Sequence, residues 1–179
     1  AGTTNFGQTV PLEGGVVIST RHLNEIIEIG DGFINVQAGV TASRIEAAAR
    51  ETGQALPVIT TTHNVATAAG WVCGGHVGLG SSTWGSVFDG NVLGAELLTV
   101  AAEPEVLTLG PSEVHSVLHT YGTTGIVTNV TMRLVPANEW VELVVVHDGF
   151  DDAARFVTEL SRRPGLRIRV AAAQDPPLT

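Results

Sequence analysis

Lysine is absent from this chain of 179 residues, whose nine basic residues are all arginines. Eighteen acidic residues outnumber them, which gives a formal net charge of −9 at pH 7. A protein that holds nucleic acid or an anionic membrane by electrostatic attraction needs a basic surface. The composition therefore predicts no nucleic-acid partner and no membrane partner. It also implies that a phosphate-bearing ligand would be held by backbone N–H groups and hydroxyls.

Cysteine is scarce as well, since Cys73 stands alone. One cysteine excludes an internal disulfide and a multi-cysteine metal site, and free cysteines are most often simply buried. His115 and His119 have the spacing of ligands on one helix face, but no neighbouring Asp, Glu or Cys pattern completes a site. We therefore expect no bound metal.

Long apolar runs and a charged-then-apolar leader are missing too. A cytoplasmic location is the default expectation. The chain starts on Ala1 without an initiator methionine, which suggests the interior of a longer protein.

What is present is typical of a globular protein, with 44% apolar and 15% charged residues. Short apolar runs alternate irregularly with a few helical patterns, which favours an α+β fold over regular βαβ units. The best helix covers 42–52, with Thr41 or Ser43 as N-cap and Gly53 at its end. The other predicted helical segments are 22–27, 111–121 and 149–163. Strands are predicted at 16–18, in a hairpin over 29–37, and at 92–100, 106–109, 126–135, 141–146 and 166–173.

The stretch 66–92 is the most distinctive, because it combines seven glycines and several hydroxyl residues with Trp71, Trp84 and aliphatic side chains. Such a concentration of glycine indicates a backbone that something approaches closely. We interpret it as a wall against a large flat or polyanionic ligand. The alternative is a glycine-rich surface loop.

Four blocks of the chain, in order, resemble the FAD-binding domain of the vanillyl-alcohol oxidase and p-cresol methylhydroxylase (PCMH-type) superfamily. That superfamily includes D-lactate and glycolate dehydrogenases and cytokinin dehydrogenases. The blocks are Gly2-Thr3-Thr4-Asn5-Phe6-Gly7-Gln8, then 14–40 with its following helix, then 67–92, and finally Tyr121-Gly122-Thr123-Thr124-Gly125-Ile126-Val127-Thr128. The resemblance covers about residues 1–137.

The resemblance implies an FAD site. In the first loop it places Gly2, Thr3, Thr4, Asn5, Gly7 and Gln8 along the pyrophosphate, where glycine-rich backbone can form an anion-binding nest. Further FAD contacts are implied for Thr62, Thr67, Ala68, Gly70, Cys73, Gly74, Val77, Ser81 and Ile126. Some relatives attach flavin through a cysteine, at a position that lies near Ala68 here, and many attach it through a histidine in the first loop. Because Thr4-Asn5 stands there, we expect non-covalent FAD.

The resemblance also predicts how the chain is divided. Residues 1–137 would form an FAD-binding domain (mixed or antiparallel sheet with flanking helices) without its first β-α-β subdomain. Residues 138–179 would begin a substrate or cap domain.

The implied function is that of a flavin-dependent oxidoreductase, an oxidase or dehydrogenase that oxidises a small alcohol or hydroxy acid. Its expected partner is a small-molecule substrate, and a homo-oligomer is left open. His76 is the one candidate catalytic residue, and the alternative is a histidine hydrogen-bonded to a neighbouring loop. Two alternatives stay open: a β-rich binding or scaffold module without flavin, and an inert fragment of a flavoenzyme.

Overall fold

A computed structural model describes residues 2, 7 and 9–175 of the chain. Its centre is a five-stranded sheet in the order β1-β2-β6-β4-β5, in which every pairing is antiparallel. The strands are β1 (Ile26–Gly30), β2 (Phe33–Gln37), β4 (Val92–Leu98), β5 (Val106–Leu109) and β6 (Ile126–Arg133). A separate two-stranded ribbon joins β3 (Gln54–Ala55) to β7 (Val135–Pro136).

Two helices pack on the sheet, α1 (Ala42–Glu51) and α2 (Ala68–Gly74). Alternate residues of the central strands are buried beneath them, as expected for an antiparallel sheet with one covered face. Ile34 of β2 and Val130 of β6 are fully buried. The core therefore lies between the sheet and these helices, and the short helix α3 (Ser81–Trp84) and a helical turn at Val87–Asn91 follow α2.

The α+β fold class is confirmed. The hairpin predicted over 29–37 forms, with its turn between Gly30 and Phe33. Helix α1 begins after Thr41, whose hydroxyl accepts the Arg44 N–H, and Gly53 follows it with a φ of 72°. The strand predictions at 92–100, 106–109 and 126–135 correspond to β4, β5 and β6.

Two predictions near the start of the chain are wrong. Residues 16–18 form no strand, and Val16 is 87% exposed. Residues 22–27 form no helical turn, because the chain enters β1 at Ile26. Each prediction rested on local apolar character, but a strand also needs a neighbouring strand with which to form hydrogen bonds. In this protein the segment that pairs with β2 is 26–30, which forms β1.

Later segments also differ from expectation. The predicted helix 111–121 is a series of turns around a 3-10 helix at Val114–Ser116. The predicted strands 141–146 and 166–173 have no ladder partner in the described chain. The helix expected at 149–163 is present as α4 (Phe150–Ser161), but none of its residues is buried, so its apolar face does not reach the core.

Candidate functional site

Helix α2 carries four of the predicted FAD contacts, with a fifth, Thr67, as its N-cap, and its first turn is hydrogen-bonded to residues that follow β2. Ala68 N–H donates to the Val40 carbonyl at 2.8 Å, and Ala69 N–H donates to the Ala38 carbonyl at 3.1 Å. Ala38 N–H in turn donates to Thr128 in β6 at 2.7 Å. The second predicted block therefore links the third and fourth blocks at this end of α2.

The other end of α2 is held by the segment 119–121. His119 N–H donates to the Val72 carbonyl at 3.3 Å, and Tyr121 N–H donates to the Cys73 carbonyl at 2.9 Å. The imidazole Nδ1 of His119 lies 2.6 Å from the Gly74 carbonyl oxygen. A carbonyl can only accept, so Nδ1 carries the proton and donates.

Sequence reasoning did not single out His119 and Tyr121 as site residues. Both have left-handed backbone conformations, with φ of 57° and 54°, which are uncommon for residues other than glycine. The expected helix over 111–121 would have turned His115 and His119 to one face. The turns that form instead direct His119 to Gly74. Hydrophobic periodicity in the sequence does not indicate left-handed conformations at single residues such as His119 and Tyr121.

The glycines of 66–92 have a different role from the one expected. Five of the seven are packed against the chain itself, so the space beside them is not open to a ligand. A Cβ on Gly80 would overlap the Pro57 carbonyl oxygen, and one on Gly78 would overlap that of Ile59. Gly74, Gly75 and Gly85 face His76, His119 and Asp89 in the same way. The glycines thus permit close self-packing of this segment.

The surface that remains open runs along one side of α2. Gly70 is exposed, and a Cβ there would meet only the Thr67 hydroxyl, at 2.9 Å. Cys73, one turn further on, is partly exposed, and Val77 is 70% exposed. Gly70, Cys73 and Val77 thus form an uncharged strip that is at least partly exposed, whereas Ala68 and Gly74 of the same helix are buried. Between Glu51 and Asp89 the chain carries no Asp, Glu, Lys or Arg at all.

The other predicted contacts fall around this strip or outside the described residues. Thr62 is exposed and starts the turn that leads to Thr67, since its carbonyl accepts the Ala66 N–H at 2.8 Å. Ile126 is partly buried at the start of β6. Gly2 and Gly7 have left-handed φ of 69° and 68°. Thr3, Thr4, Asn5 and Gln8 lie outside the described residues.

Two side chains of this segment were candidates for chemistry. Burial raises the pKa of the Cys73 thiol to about 11, so the thiol is protonated and a weak nucleophile at neutral pH. His76 is exposed, and its ring lies against Gly74. Its carbonyl accepts the Trp71 indole N–H at 3.2 Å, which fixes the backbone at this point.

The hydroxyls of α3 are occupied. Ser81 Oγ accepts the Gly78 N–H at 2.9 Å, while Ser82 and Thr83 both donate to the Ile168 carbonyl at 2.9 Å. The segment after α4 thus lies directly on α3. A groove of about 220 Å³ remains between them, lined in part by Gly78, Ser82 and Val157. That volume is below the usual range for cofactor pockets.

The turn that closes the glycine-rich segment is a capping arrangement. Asp89 Oδ2 accepts both the Ser86 N–H and the Ser86 hydroxyl at 2.7 Å, and the backbone N–H bond is the larger cause that lowers the Asp89 pKa. Asn91 is buried and donates to the Trp84 and Ser86 carbonyls. Both residues therefore shape the turn that leads into β4.

Comparison with known proteins shows the family to which this chain belongs. The model of a family described as an FAD binding domain matches residues 1–110. The chain belongs to this FAD-binding domain family. The resemblance to PCMH-type flavoproteins is thereby confirmed, and FAD is the cofactor of the family. In the part of the chain that the structure describes, no helix is long and apolar enough to cross a membrane.

Two curated relatives support the same family at low identity. The chain is 28% identical to glycolate oxidase subunit GlcD of Bacillus subtilis (strain 168), over 89% of this chain and 36% of that protein. It is 27% identical to D-lactate dehydrogenase of Archaeoglobus fulgidus, over 90% of this chain and 38% of that protein. The chain thus spans well under half the length of either relative.

Solved structures agree on the fold. Two structures of alkyldihydroxyacetonephosphate synthase match with a TM-score of 0.64 each, at 21% and 20% identity. They cover 72% of this chain and about a quarter of the synthase. At this identity the likeness concerns the fold alone.

Proposed function

We propose that this chain supplies the FAD-binding part of a flavin-dependent oxidoreductase that oxidises a small alcohol or a hydroxy acid. The observation that carries the proposal is the uncharged strip along α2, a helix that is hydrogen-bonded to residues 38–40 at its start and to residues 119–121 at its end. The family match supports FAD as the ligand. The two curated relatives act, by their names, on glycolate and D-lactate, and they support a 2-hydroxy acid as substrate.

The residues of the strip suit a flavin. Gly70 leaves the backbone of α2 accessible, and the hydroxyls of Thr62 and Thr67 lie before the helix on the same connection. The absence of charge from this strip matters, because the chain as a whole has a net charge of −9 and acidic side chains at the strip would repel the pyrophosphate. Left-handed Gly2 and Gly7 have the backbone conformation that anion-binding nests use, which fits a pyrophosphate at the first loop.

When bound, FAD would accept a hydride from the substrate carbon, and the chain would bind and orient it. Cys73 would be a contact and not an attachment point, because its thiol stays protonated at neutral pH. Binding is therefore proposed to be non-covalent. His76 remains a candidate proton acceptor, since its exposed ring lies at the end of the same strip.

The decisive experiment is titration of the chain with FAD, followed by flavin fluorescence and absorbance. We expect saturable binding, released by denaturation. Gly70→Val should weaken binding at least about tenfold, because it fills the open side of α2 with only the Thr67 hydroxyl to displace. Ala47→Val, at an exposed position of α1, is the matched control and should bind normally.

A chain that takes up no FAD would overturn the proposal. For the reaction class, the longer protein with bound FAD should be mixed anaerobically with glycolate, D-lactate and a small primary alcohol. We expect bleaching of the flavin absorbance by a hydroxy acid. Bleaching by none of the three would exclude the substrate class while leaving FAD binding intact.

A further inference from the structure

We infer that His119 is a positioning residue, which holds the last turn of α2 in the conformation that the proposed FAD site requires. This inference rests on the proposed function, because α2 carries Gly70, Cys73 and Gly74. It concerns a histidine that neither the family match nor the sequence motif identifies. Three hydrogen bonds join the short segment 119–121 to the end of this helix.

A helix leaves its last four carbonyls without partners inside the helix. In α2 these carbonyls belong to residues 71–74, and each of them accepts a hydrogen bond. Gly75 N–H reaches the Trp71 and Val72 carbonyls at 3.0 and 3.1 Å. Among the described residues, the partners of the Cys73 and Gly74 carbonyls come from outside the helix: Tyr121 N–H donates to the first and His119 Nδ1 to the second.

The conformation of the segment is unfavourable without those bonds. Two non-glycine residues, His119 and Tyr121, are left-handed within three positions. Such backbone strain persists where the surrounding contacts compensate it. Here three hydrogen bonds join the segment to the end of α2, and the His119 ring also packs edge-on near Phe88. The segment and the helix end therefore stabilise each other.

The glycine next to the helix supports the same pairing. Gly75 is itself left-handed, with φ of 64°, and a Cβ there would overlap the Cβ of His119. Gly75 therefore explains how the imidazole comes close enough to reach the Gly74 carbonyl. Of the Gly74-Gly75 pair, Gly75 therefore accommodates His119 and not a ligand.

Replacement of His119 separates the hydrogen bond from the backbone conformation. His119→Gly keeps the left-handed conformation at no steric cost and removes the donor. His119→Asn keeps a donor, because the asparagine Nδ2 is attached to Cγ just as the imidazole Nδ1 is, and asparagine also tolerates this conformation. His115→Gly is the matched control, since His115 is exposed four residues earlier, in the 3-10 helix at Val114–Ser116.

Cys73 provides a readout that needs no flavin. It is the single thiol of the chain, and its carbonyl is one of those held by the segment. Its labelling rate by a neutral disulfide reagent at pH 8 measures opening of the helix end. We expect His119→Gly to label about 3- to 10-fold faster, the range of one lost hydrogen bond. His119→Asn should stay within about twofold of the wild type, and His115→Gly should be unchanged.

The FAD dissociation constant should follow the same order, with about a 3- to 10-fold increase for His119→Gly and recovery in His119→Asn. Circular dichroism verifies folding of each variant. If His119→Gly does not fold, His119→Asp replaces it, since aspartate has the same reach but cannot donate when ionised.

The outcomes separate the two proposals. A His119→Gly protein that labels and binds FAD as His115→Gly does would overturn the inference, even if its melting temperature falls. Weaker FAD binding with unchanged labelling would also overturn it, because His119 would then act on the ligand directly. Absence of FAD binding by the wild type would refute the proposed function, and the labelling rates would still decide whether His119 positions α2.

Discussion

The residues 26–137, here the core region, and the residues 138–175, here the arm, contain the same kinds of apolar pattern with opposite results. In the core region, β-branched side chains of the strands are buried beneath α1 and α2. In the arm, as far as residue 175, Ile168 alone is buried, although 141–146 is as rich in valine as any strand of the sheet. Strand formation thus depended on an available neighbouring strand, because strand hydrogen bonds are made between segments.

The largest expected effect contrasts a glycine from each region. Gly80→Ala should destabilise the protein by about 3–5 kcal/mol, because the new Cβ would overlap the Pro57 carbonyl oxygen and φ is 102°. Gly149→Ala, in the arm, has no atom within 4 Å of the added Cβ and should change the free energy of unfolding by less than about 0.5 kcal/mol. Urea unfolding measures both. Equal midpoints would contradict the close packing of the glycine-rich segment.

Alkaline pH tests the core region alone, through Cys73. The thiol has a pKa of about 11 in the folded protein and 9.0 as the reference value. Between these values the unfolded chain loses a proton that the folded protein keeps. Stability should therefore be complete below pH 9 and fall by up to about 3 kcal/mol as pH rises through 11. Cys73→Ala should remove this part of the pH dependence, and an unchanged slope between pH 9 and 11 would refute it.

A pair of valines sharpens the contrast between the regions. Val130→Ala, at a fully buried position of β6, should cost about 2 kcal/mol through lost burial and a small cavity. Val144→Ala, at a position 94% exposed, should cost less than about 0.5 kcal/mol. Thermal unfolding of the two variants compares them directly. A similar loss in both would mean that 141–146 packs against something in solution.

The smallest effect concerns the junction of the two regions. Thr83→Val removes the hydroxyl that donates to the Ile168 carbonyl and accepts the Ile168 N–H, both at 2.9 Å. We expect about a fivefold faster tryptic cleavage after Arg167, as the local opening free energy falls by about 1 kcal/mol. Thr108→Val, on the exposed strand β5, serves as the control. Identical cleavage rates would show that this junction does not hold the arm.

Elements with local determinants were predictable. Helix α1 follows from its period, its Thr41 cap and its terminal Gly53, all of which lie within a few residues of one another. The order of the four blocks likewise indicated the family and FAD, because family motifs are properties of the chain itself. The individual FAD contacts, including those at Thr62 and Cys73, remain predictions.

Determinants that join distant segments were not predictable. The hydrogen bond of His119 to Gly74 spans 45 positions, and the bonds of Ser82 and Thr83 to Ile168 span more than 80. The glycines suggested a ligand, yet their neighbours are Pro57, Ile59 and other parts of the chain. A high glycine content indicates that other atoms pack close to the backbone, but it does not indicate whether those atoms belong to a ligand or to the chain itself.

By itself, then, the sequence determined the α+β class, the helix α1, the strand positions within 92–100, 106–109 and 126–135, and the membership of an FAD-binding family. Tertiary structure decided which apolar segments became strands and what the glycines of 66–92 accommodate. It also brought His119 to the end of α2. The physical reason is that helix signals and caps act within one turn, whereas sheet edges, close backbone contacts and capping from a distant segment exist only once the chain has folded.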